Sequence, residues 1–321
     1  MEFNLSLGSA EEEKRDYDVV IIGSGAAGLS AAIYCARSGL SAVVLDKTTP
    51  GGLTAEAPWV ENYLGYKAIS GVDLAKKFVE HASDYVTIRQ DREVTGITRN
   101  KDGYEVQTRE GVSYSCKGII VATGTTHRHL NVPGEDKYYG KGVSYCSTCD
   151  GYLFRNKRVT VIGGGNSGAI AAITMSEYTS STEVIEFMPR YMCEDAYVRA
   201  IERRKIPYLK NKQVTEIKGD GKKVTGLVMK DRQTGEVSEV ETDGVFIYVG
   251  LIPQTSFLRE AGVKLDERGY IITNAKGKTN LDMVYAAGDC VAGNEAQIAT
   301  AVGDGCRAAI NLYRDMVNSG R

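Results

Sequence analysis

The sequence reads as an α/β protein of two Rossmann-like domains, the second inserted into the first. Three observations carry that reading. A strand, a glycine-rich turn, a helix, a second strand and a terminal acid follow one another twice, over 18–46 and again over 158–186. In both copies the acid stands 18 residues past the last glycine of the turn (46 − 28 and 186 − 168). The stretches that close the two units also match, Gly118-Ile119-Ile120-Val121-Ala122-Thr123-Gly124 against Gly244-Val245-Phe246-Ile247-Tyr248-Val249-Gly250.

Taken in order, Met1 to Arg15 carries Glu11, Glu12 and Glu13 and has no apolar core. It reads as a mobile lead-in and not as a signal peptide. Asp18-Val19-Val20-Ile21-Ile22 is a continuous apolar run, as expected of a strand covered on both faces of a parallel sheet. Gly23-Ser24-Gly25-Ala26-Ala27-Gly28 opens a helix with small and apolar residues, and Ala42 to Leu45 is the next strand, ending at Asp46. Glycines at that spacing let backbone approach a pyrophosphate at the helix N-terminus, and the acid bonds a ribose hydroxyl. A helix is expected over Val72–Tyr85, with Leu74, Phe78 and Ala82 on one face. Strands are expected near Glu93-Val94, over Tyr104–Thr108 and over Val112–Ser115.

The second copy runs from Arg158 through Gly163, Gly165, Asn166, Ser167 and Gly168 to Glu186. It adds a hairpin, Val224–Lys230 with Glu236–Glu241, turning near Thr234-Gly235. Beyond Gly250 no third unit starts, so the tail, with Asp289 and a helix from about Gln297, completes the first domain. The expected organisation is 1–126 with 253–321 as one domain and 127–252 as the insert, crossing near Thr125-Thr126 and Leu251-Ile252-Pro253.

Bulk properties narrow the function. A chain of 321 residues with 42% hydrophobic and 25% charged content has ordinary soluble composition and room for two cores. A formal charge of −2 gives no footprint for nucleic acid or an anionic membrane. No apolar run reaches the roughly 18 residues that span a bilayer. Seven scattered cysteines, an odd number, argue against an extracellular disulfide framework and for the cytoplasm.

Cys146 and Cys149 form a Cys-x-x-Cys followed directly by Asp150. The spacing suits reversible thiol–disulfide exchange, in which the attacking sulfur is thiolate. It also suits half a zinc site, but Cys35, Cys116, Cys193, Cys290 and Cys306 are isolated and supply no second pair at ligand spacing. Asp150 can move a proton to or from a departing thiolate if burial raises its pKa. His81, His127 and His129 read as surface or hinge histidines.

Two nested fingerprints, Cys-Ser-Thr-Cys-Asp-Gly at the head of the second, and Tyr-Ala-Ala-Gly-Asp ending at Asp289 resemble the low-molecular-weight thioredoxin reductases, most nearly those of archaeal, Thermoplasma type. The resemblance covers Tyr17 to the C-terminus. It implies a homodimer with FAD in the discontinuous first domain. Gly23, Ser24, Gly25, Ala27 and Gly28 would then lie along the pyrophosphate, with Asp46 and Lys47 at the adenosine ribose and Val94 at the adenine. Gly51, Gly52, Leu53, Asn62, Thr123 and Gly124 would line the flavin side. Asp289 would bond the ribityl chain, and the backbone at Gln297 and Ile298 would aim a helix N-terminus at the pyrimidine ring. The resemblance also makes Cys149 the flavin-proximal sulfur and Cys146 its partner. Because one small pair must meet both flavin and partner, the inserted domain is expected to turn about its two crossings. The implied activity is reduction of a thioredoxin- or glutaredoxin-like protein disulfide, electrons passing through FAD to Cys146–Cys149.

One stretch departs from that family. Where members carry His-Arg-Arg to grip the 2'-phosphate of NADPH, this chain has Glu186-Phe187-Met188, with Arg190 following. Each charge-assisted bond lost there is worth roughly 1.5–3 kcal/mol. A like charge ~4 Å from the phosphate opposes binding by up to about 4 kcal/mol at an effective dielectric near 20. NADPH is therefore expected to be a poor donor, with NADH first in line and ferredoxin or a reduced deazaflavin as alternatives. Two other readings compete: a flavin oxidase or ferredoxin reductase that makes no use of the cysteines, and a flavin-binding redox module without reductase activity.

Overall fold

The computed structural model describes residues 15–57, 60, 62–145 and 147–320. Cys146 and the first 14 residues lie outside the described residues. The chain divides into two compact units.

The first unit takes in the chain up to Pro50, Val79–Thr123, and everything from Thr255. Its sheet runs in the spatial order Thr87–Arg89, Ala42–Leu45, Asp16–Ile22, Ser113–Val121, Tyr104–Thr108, Val94–Arg99, and Val284–Ala286 also pairs with Ser113–Val121. The ladders among Thr87–Arg89, Ala42–Leu45, Asp16–Ile22, Ser113–Val121 and Val284–Ala286 are parallel. Val19, Val20 and Ile21 are fully buried, as their unbroken apolar run requires. Helix Ala26–Arg37 packs along helix Ile298–Ser319 so closely that a Cβ on Gly305 would stand 2.0 Å from the Ala27 carbonyl oxygen.

The expected strands over Val112–Ser115 and Gly118–Gly124 turn out to be one. Ser113–Val121 is a continuous strand whose start pairs antiparallel with Tyr104–Thr108 and whose end pairs parallel with Val284–Ala286. Gly118 is not a break in it. A Cβ there would meet Met316 Cε at 2.7 Å, so the glycine seats the last helix against the strand. The helix expected over 72–85 is observed as Gly71–Ser83.

The second unit comprises Gly51–Phe78 and Gly124–Gln254. Its five strands lie in the order Tyr208–Leu209, Ser181–Ile185, Arg158–Ile162, Gly244–Ile247, Val143–Ser144, all parallel. Beside them stands an antiparallel trio, Lys212–Gly219, Val224–Asp231 and Val237–Glu241. The expected hairpin is its last two strands. Its turn forms because Asp231 Oδ1 accepts the amides of Gln233 and Thr234 at 2.8 and 2.9 Å, leaving Gly235 at φ 78°. The strand Lys212–Gly219 went unforeseen, since its charged residues mask the alternation.

The expected crossings near Thr125-Thr126 and Leu251-Pro253 form an antiparallel ribbon of Thr125–His127 with Leu251–Pro253. The compact units part just outside it, at Thr123/Gly124 and Gln254/Thr255. Gly51–Phe78, read from sequence as part of the first domain, clusters with the second unit. That segment folds on itself: Val60 bridges Ile69, and the Gly71 amide donates to Ala57 at 2.8 Å.

Candidate functional site

The two glycine-rich turns are wired alike. Gly23 and Gly163 both adopt positive φ, 104° and 97°, and a Cβ on either would strike the backbone of the closing strand, 2.3 Å from Ala122 O and 2.1 Å from Tyr248 O. In the first turn, Ser24 N and Ser24 Oγ donate to Asp46 Oδ2 at 2.7 and 2.5 Å, while Thr48 N donates to Oδ1 at 2.9 Å. In the second, Gly164 N donates to Glu186 Oε2 and Met188 N to Oε1, both at 2.7 Å. Both acids therefore carry a structural load, because each ties the turn to the end of the second strand. Glu186 is 6% exposed, so its carboxylate is turned onto these amides.

The first turn leaves its helix end open. Gly25 is the N-cap of helix Ala26–Arg37, no side chain caps it, and nothing lies within 4 Å of where its Cβ would be. No acid stands in the first turn of that helix, so its free amides and partial positive charge suit an anion. Arg92 N donates to Asp46 O at 2.8 Å, which sets the head of strand Val94–Arg99 alongside Asp46. Lys47 is exposed.

Asp289 stands in a 3-10 turn directly after strand Val284–Ala286. Its Oδ1 is buried without a hydrogen-bond partner, and so is Thr123 Oγ1 at the end of the neighbouring strand. Burial and, second, the nearby Asp304 push the Asp289 carboxyl up to about 6. Asn294 Nδ2 donates to Asp304 Oδ2 and, at 3.1 Å, to Gly288 O, holding this turn against the last helix. That helix begins at Ile298 with Gln297 as N-cap and no side-chain cap. An orphaned buried carboxylate and two uncapped helix ends in one unit fit a ligand with a pyrophosphate and sugar-like hydroxyls, as FAD has. Gly51, Gly52 and Leu53, at the head of a short helix Leu53–Glu56, and Asn62 fall in the other compact unit, as does Gly124.

The second turn is more crowded. Tyr208 Oη donates to Gly164 O at 2.9 Å and accepts Met192 N at 3.3 Å. Asn166, first residue of helix Asn166–Met175, exchanges two hydrogen bonds with Glu194, Nδ2 to Oε1 at 2.8 Å and Glu194 N to Oδ1 at 2.9 Å. A carboxylate thus stands at the very helix end where a dinucleotide pyrophosphate would sit. Arg232 is committed to Phe187, donating to its carbonyl at 2.9 Å with the guanidinium 3.5 Å over its ring. Arg190 is exposed. Ser167 and Gly168 continue the helix, and a Cβ on Gly168 would meet Gly163 O at 1.8 Å.

The backbone of Cys149 lies in a single helical turn, Ser147–Asp150, which runs into the 3-10 turn Gly151–Phe154. Tyr248 holds this turn: its hydroxyl accepts Ser147 N at 2.7 Å and donates to Ser147 Oγ at 2.8 Å. Asp150 is half-buried. Just beyond, Tyr152 and Leu153 are 71% and 66% exposed, an apolar pair that sequence reasoning passed over. Among the described residues no group of His, Cys, Asp and Glu is placed to hold a metal ion. Burial pushes the thiols of Cys35 and Cys116 up to about 12, which makes them inert.

His127 and His129, read from sequence as surface or hinge histidines, lie in and just after the crossing ribbon, and both rings pack on Tyr145, at centroid distances of 5.3 and 5.1 Å. The signal was their i, i+2 spacing in an extended segment, which sends both side chains to one face. His81 is exposed on its helix.

The model of the "Pyridine nucleotide-disulphide oxidoreductase" family matches residues 17–305. The chain belongs to this family. It is similar to an alkyl hydroperoxide reductase protein of Escherichia coli (strain K12), 39% identical over 97% of this chain, but spans only 61% of that protein's length. A thioredoxin reductase of Listeria monocytogenes is 37% identical, with 94% of each chain covered. The crystal structure of T. acidophilum thioredoxin reductase superposes with a TM-score of 0.80, at 62% identity, covering 95% of this chain and 100% of that one.

Proposed function

We propose that the chain is an FAD-dependent thioredoxin-disulfide reductase. Its electrons pass from a donor to FAD, then to the Cys146–Cys149 pair, and then to a thioredoxin- or glutaredoxin-like disulfide. One observation carries the reading: the Cys-x-x-Cys heads a turn tied down through Ser147 and Tyr248, with Tyr152 and Leu153 exposed beside it. A redox pair has to be held in place yet reachable by a protein substrate, and the exposed apolar pair supplies a surface for one. Likeness to full-length thioredoxin reductases supports the same conclusion.

FAD, when bound, supplies two-electron transfer to a disulfide. The residues of the first unit that would hold it are the Gly23–Gly28 turn with the open end of helix Ala26–Arg37, Asp46, Asp289 and the Gln297-Ile298 helix end. Asp150 would give or take the proton of the departing thiolate. NADPH is the poor donor in this reading, since Glu186 and Glu194 place two carboxylates along the second turn and Arg232 is already engaged. NADH, or a donor that ignores the second turn, takes its place. No helix among the described residues is long and apolar enough to cross a membrane. The reading extends to a homodimer, as the resemblance implies, and to the cytoplasm, as the scattered odd cysteines suggest.

The test is anaerobic titration of the purified yellow protein with NADH, NADPH and reduced ferredoxin side by side, followed by addition of an oxidised thioredoxin. Bleaching by one donor, with the colour restored by thioredoxin, is expected. A flavin that bleaches and does not pass its electrons on would favour the redox-module reading.

A further inference from the structure

Asp289 has a companion acid that the scheme above leaves without a task. Asp304 stands in the second turn of helix Ile298–Ser319 and is 9% exposed. A carboxylate buried to that degree needs partners. Asn294 Nδ2 donates to Asp304 Oδ2 and, at 3.1 Å, to Gly288 O, so a single amide nitrogen joins the helix acid to the turn that carries Asp289. On its other oxygen Asp304 accepts Arg307 Nη2 at 2.6 Å, from a side chain that is half exposed. Burial pushes the Asp304 carboxyl up, against the Arg307 charge and the Gly288 amide.

The turn is hemmed in by its neighbours. Gly288 has φ 75°, and a Cβ on it would stand 2.9 Å from Ala27 Cβ and 3.6 Å from Ala301 Cβ. Ala287 N donates to Val121 O at 2.9 Å, and Ser30 Oγ donates to Val302 O at 2.8 Å, which seats the first helix on the last. The charged and titratable groups these neighbours bring to Asp289 are Asp304 and Arg307 of the last helix, the exposed Glu295 of the loop before it, and Cys290, whose thiol donates to Ala287 O at 3.4 Å. The first helix meets the turn at Ala27 and strand Ser113–Val121 meets it at a carbonyl, so neither adds a charge there.

The two carboxyls are unequally supported. Asp304 has Arg307 and Asn294 to hold its charge. Asp289 has a buried Oδ1 without a partner, and burial and then the Asp304 charge push it up to about 6. As pH falls, the first proton to reach such a pair goes to the member with the poorer support, here Asp289.

We propose that Asp304 is a positioning residue for flavin binding: through Asn294 it clasps the Gly288–Asp289 turn to the last helix, and its charge makes capture of a ribityl hydroxyl by Asp289 dependent on pH. This rests on the FAD reading above. An ionised carboxylate accepts a hydroxyl more strongly than a neutral carboxyl does. Below about pH 6 the free chain holds a proton on Asp289 that FAD must displace to solvent, so affinity at pH 5 is about tenfold below that at pH 7.

The experiment is dilution of the full-length holoprotein into buffers from pH 4.5 to 8. Released FAD is read at equilibrium by its fluorescence, and folding is checked at each pH by far-UV circular dichroism. The wild type is expected to bind about tenfold more weakly at pH 5 than at pH 7. Asp304→Asn should lose no more than about threefold over the same interval, because its Asp289 ionises at lower pH. Asp304→Glu keeps the charge and should keep the wild-type profile. Asn294→Ala cuts the clasp and spares the charge, so it should weaken binding about 3- to 10-fold at every pH with an unchanged slope.

Superimposable wild-type and Asp304→Asn profiles overturn the proposal, as does a wild-type affinity that is flat across the range. An Asp304→Glu profile that follows Asp304→Asn overturns the part played by charge, and an Asn294→Ala chain that binds as tightly as wild type overturns the clasp. A wild-type chain that is colourless and takes up no FAD at any pH would sink the FAD reading itself.

Discussion

Glu186 holds the amide of Gly164 at 2.7 Å, in the place where Asp46 holds the amide of Ser24 at the same distance. The acid at the end of the second strand is part of the turn in both units. Glu186→Ala should leave the buried amide of Gly164 without its acceptor, and an unsatisfied buried donor costs about 1–3 kcal/mol. Thermal unfolding should show a clear loss of stability for this variant. A variant as stable as the parent would mean that water replaces the carboxylate.

Asp289 gives a prediction with a sign. Its folded pKa is about 6 against an ordinary 3.8, so between those values the folded apoprotein holds more protons than the unfolded chain. Stability from this group is complete below about pH 3.8 and is lost as pH rises to about 6, by at most about 3 kcal/mol. Asp289→Asn should flatten that part of the apoprotein's stability–pH curve and weaken FAD retention on gel filtration. A parental curve that is flat over the same window would refute the assignment.

Cys149→Ser should retain its yellow colour and its reduction by donor, yet lose reduction of thioredoxin by at least about a hundredfold. Turnover of a protein disulfide at the parental rate would return the oxidase or ferredoxin-reductase reading to first place. Cys35 and Cys116, pushed up to about 12, should stay unlabelled by iodoacetamide at pH 8 in the native protein.

Tyr152 and Leu153 should matter to the protein substrate and not to a small one. Replacing both by Asp is expected to raise KM for thioredoxin about tenfold or more, with little change for a small aromatic disulfide. Equal loss with both substrates would indicate damage to the redox turn instead.

Much of the fold was legible because buried parallel strands are written as unbroken apolar runs and glycine-rich turns have fixed spacing. The boundary between Ser115 and Gly118 misled, since glycine in a strand reads as a stop unless the helix packed on it is known. Strand Lys212–Gly219 was hidden by its charges. At the site, the role of Asp46 and Glu186 in ordering their own turns was invisible, because a ligand-binding acid and a turn-holding acid look the same in sequence. Tyr145 stands 10 residues from Glu135 and 16 from His129, and nothing local says that their polar atoms converge.

The clamp between Tyr248 and Ser147 spans 101 residues of chain. On a ribosome adding roughly 5–20 residues per second, the cysteines emerge about 5–20 s before the tyrosine that fixes their turn. For that interval the nascent dithiol lacks this anchor. The redox centre is among the last parts of its unit to take shape, so stalled or truncated translation products would carry two loose thiols exposed to mispairing.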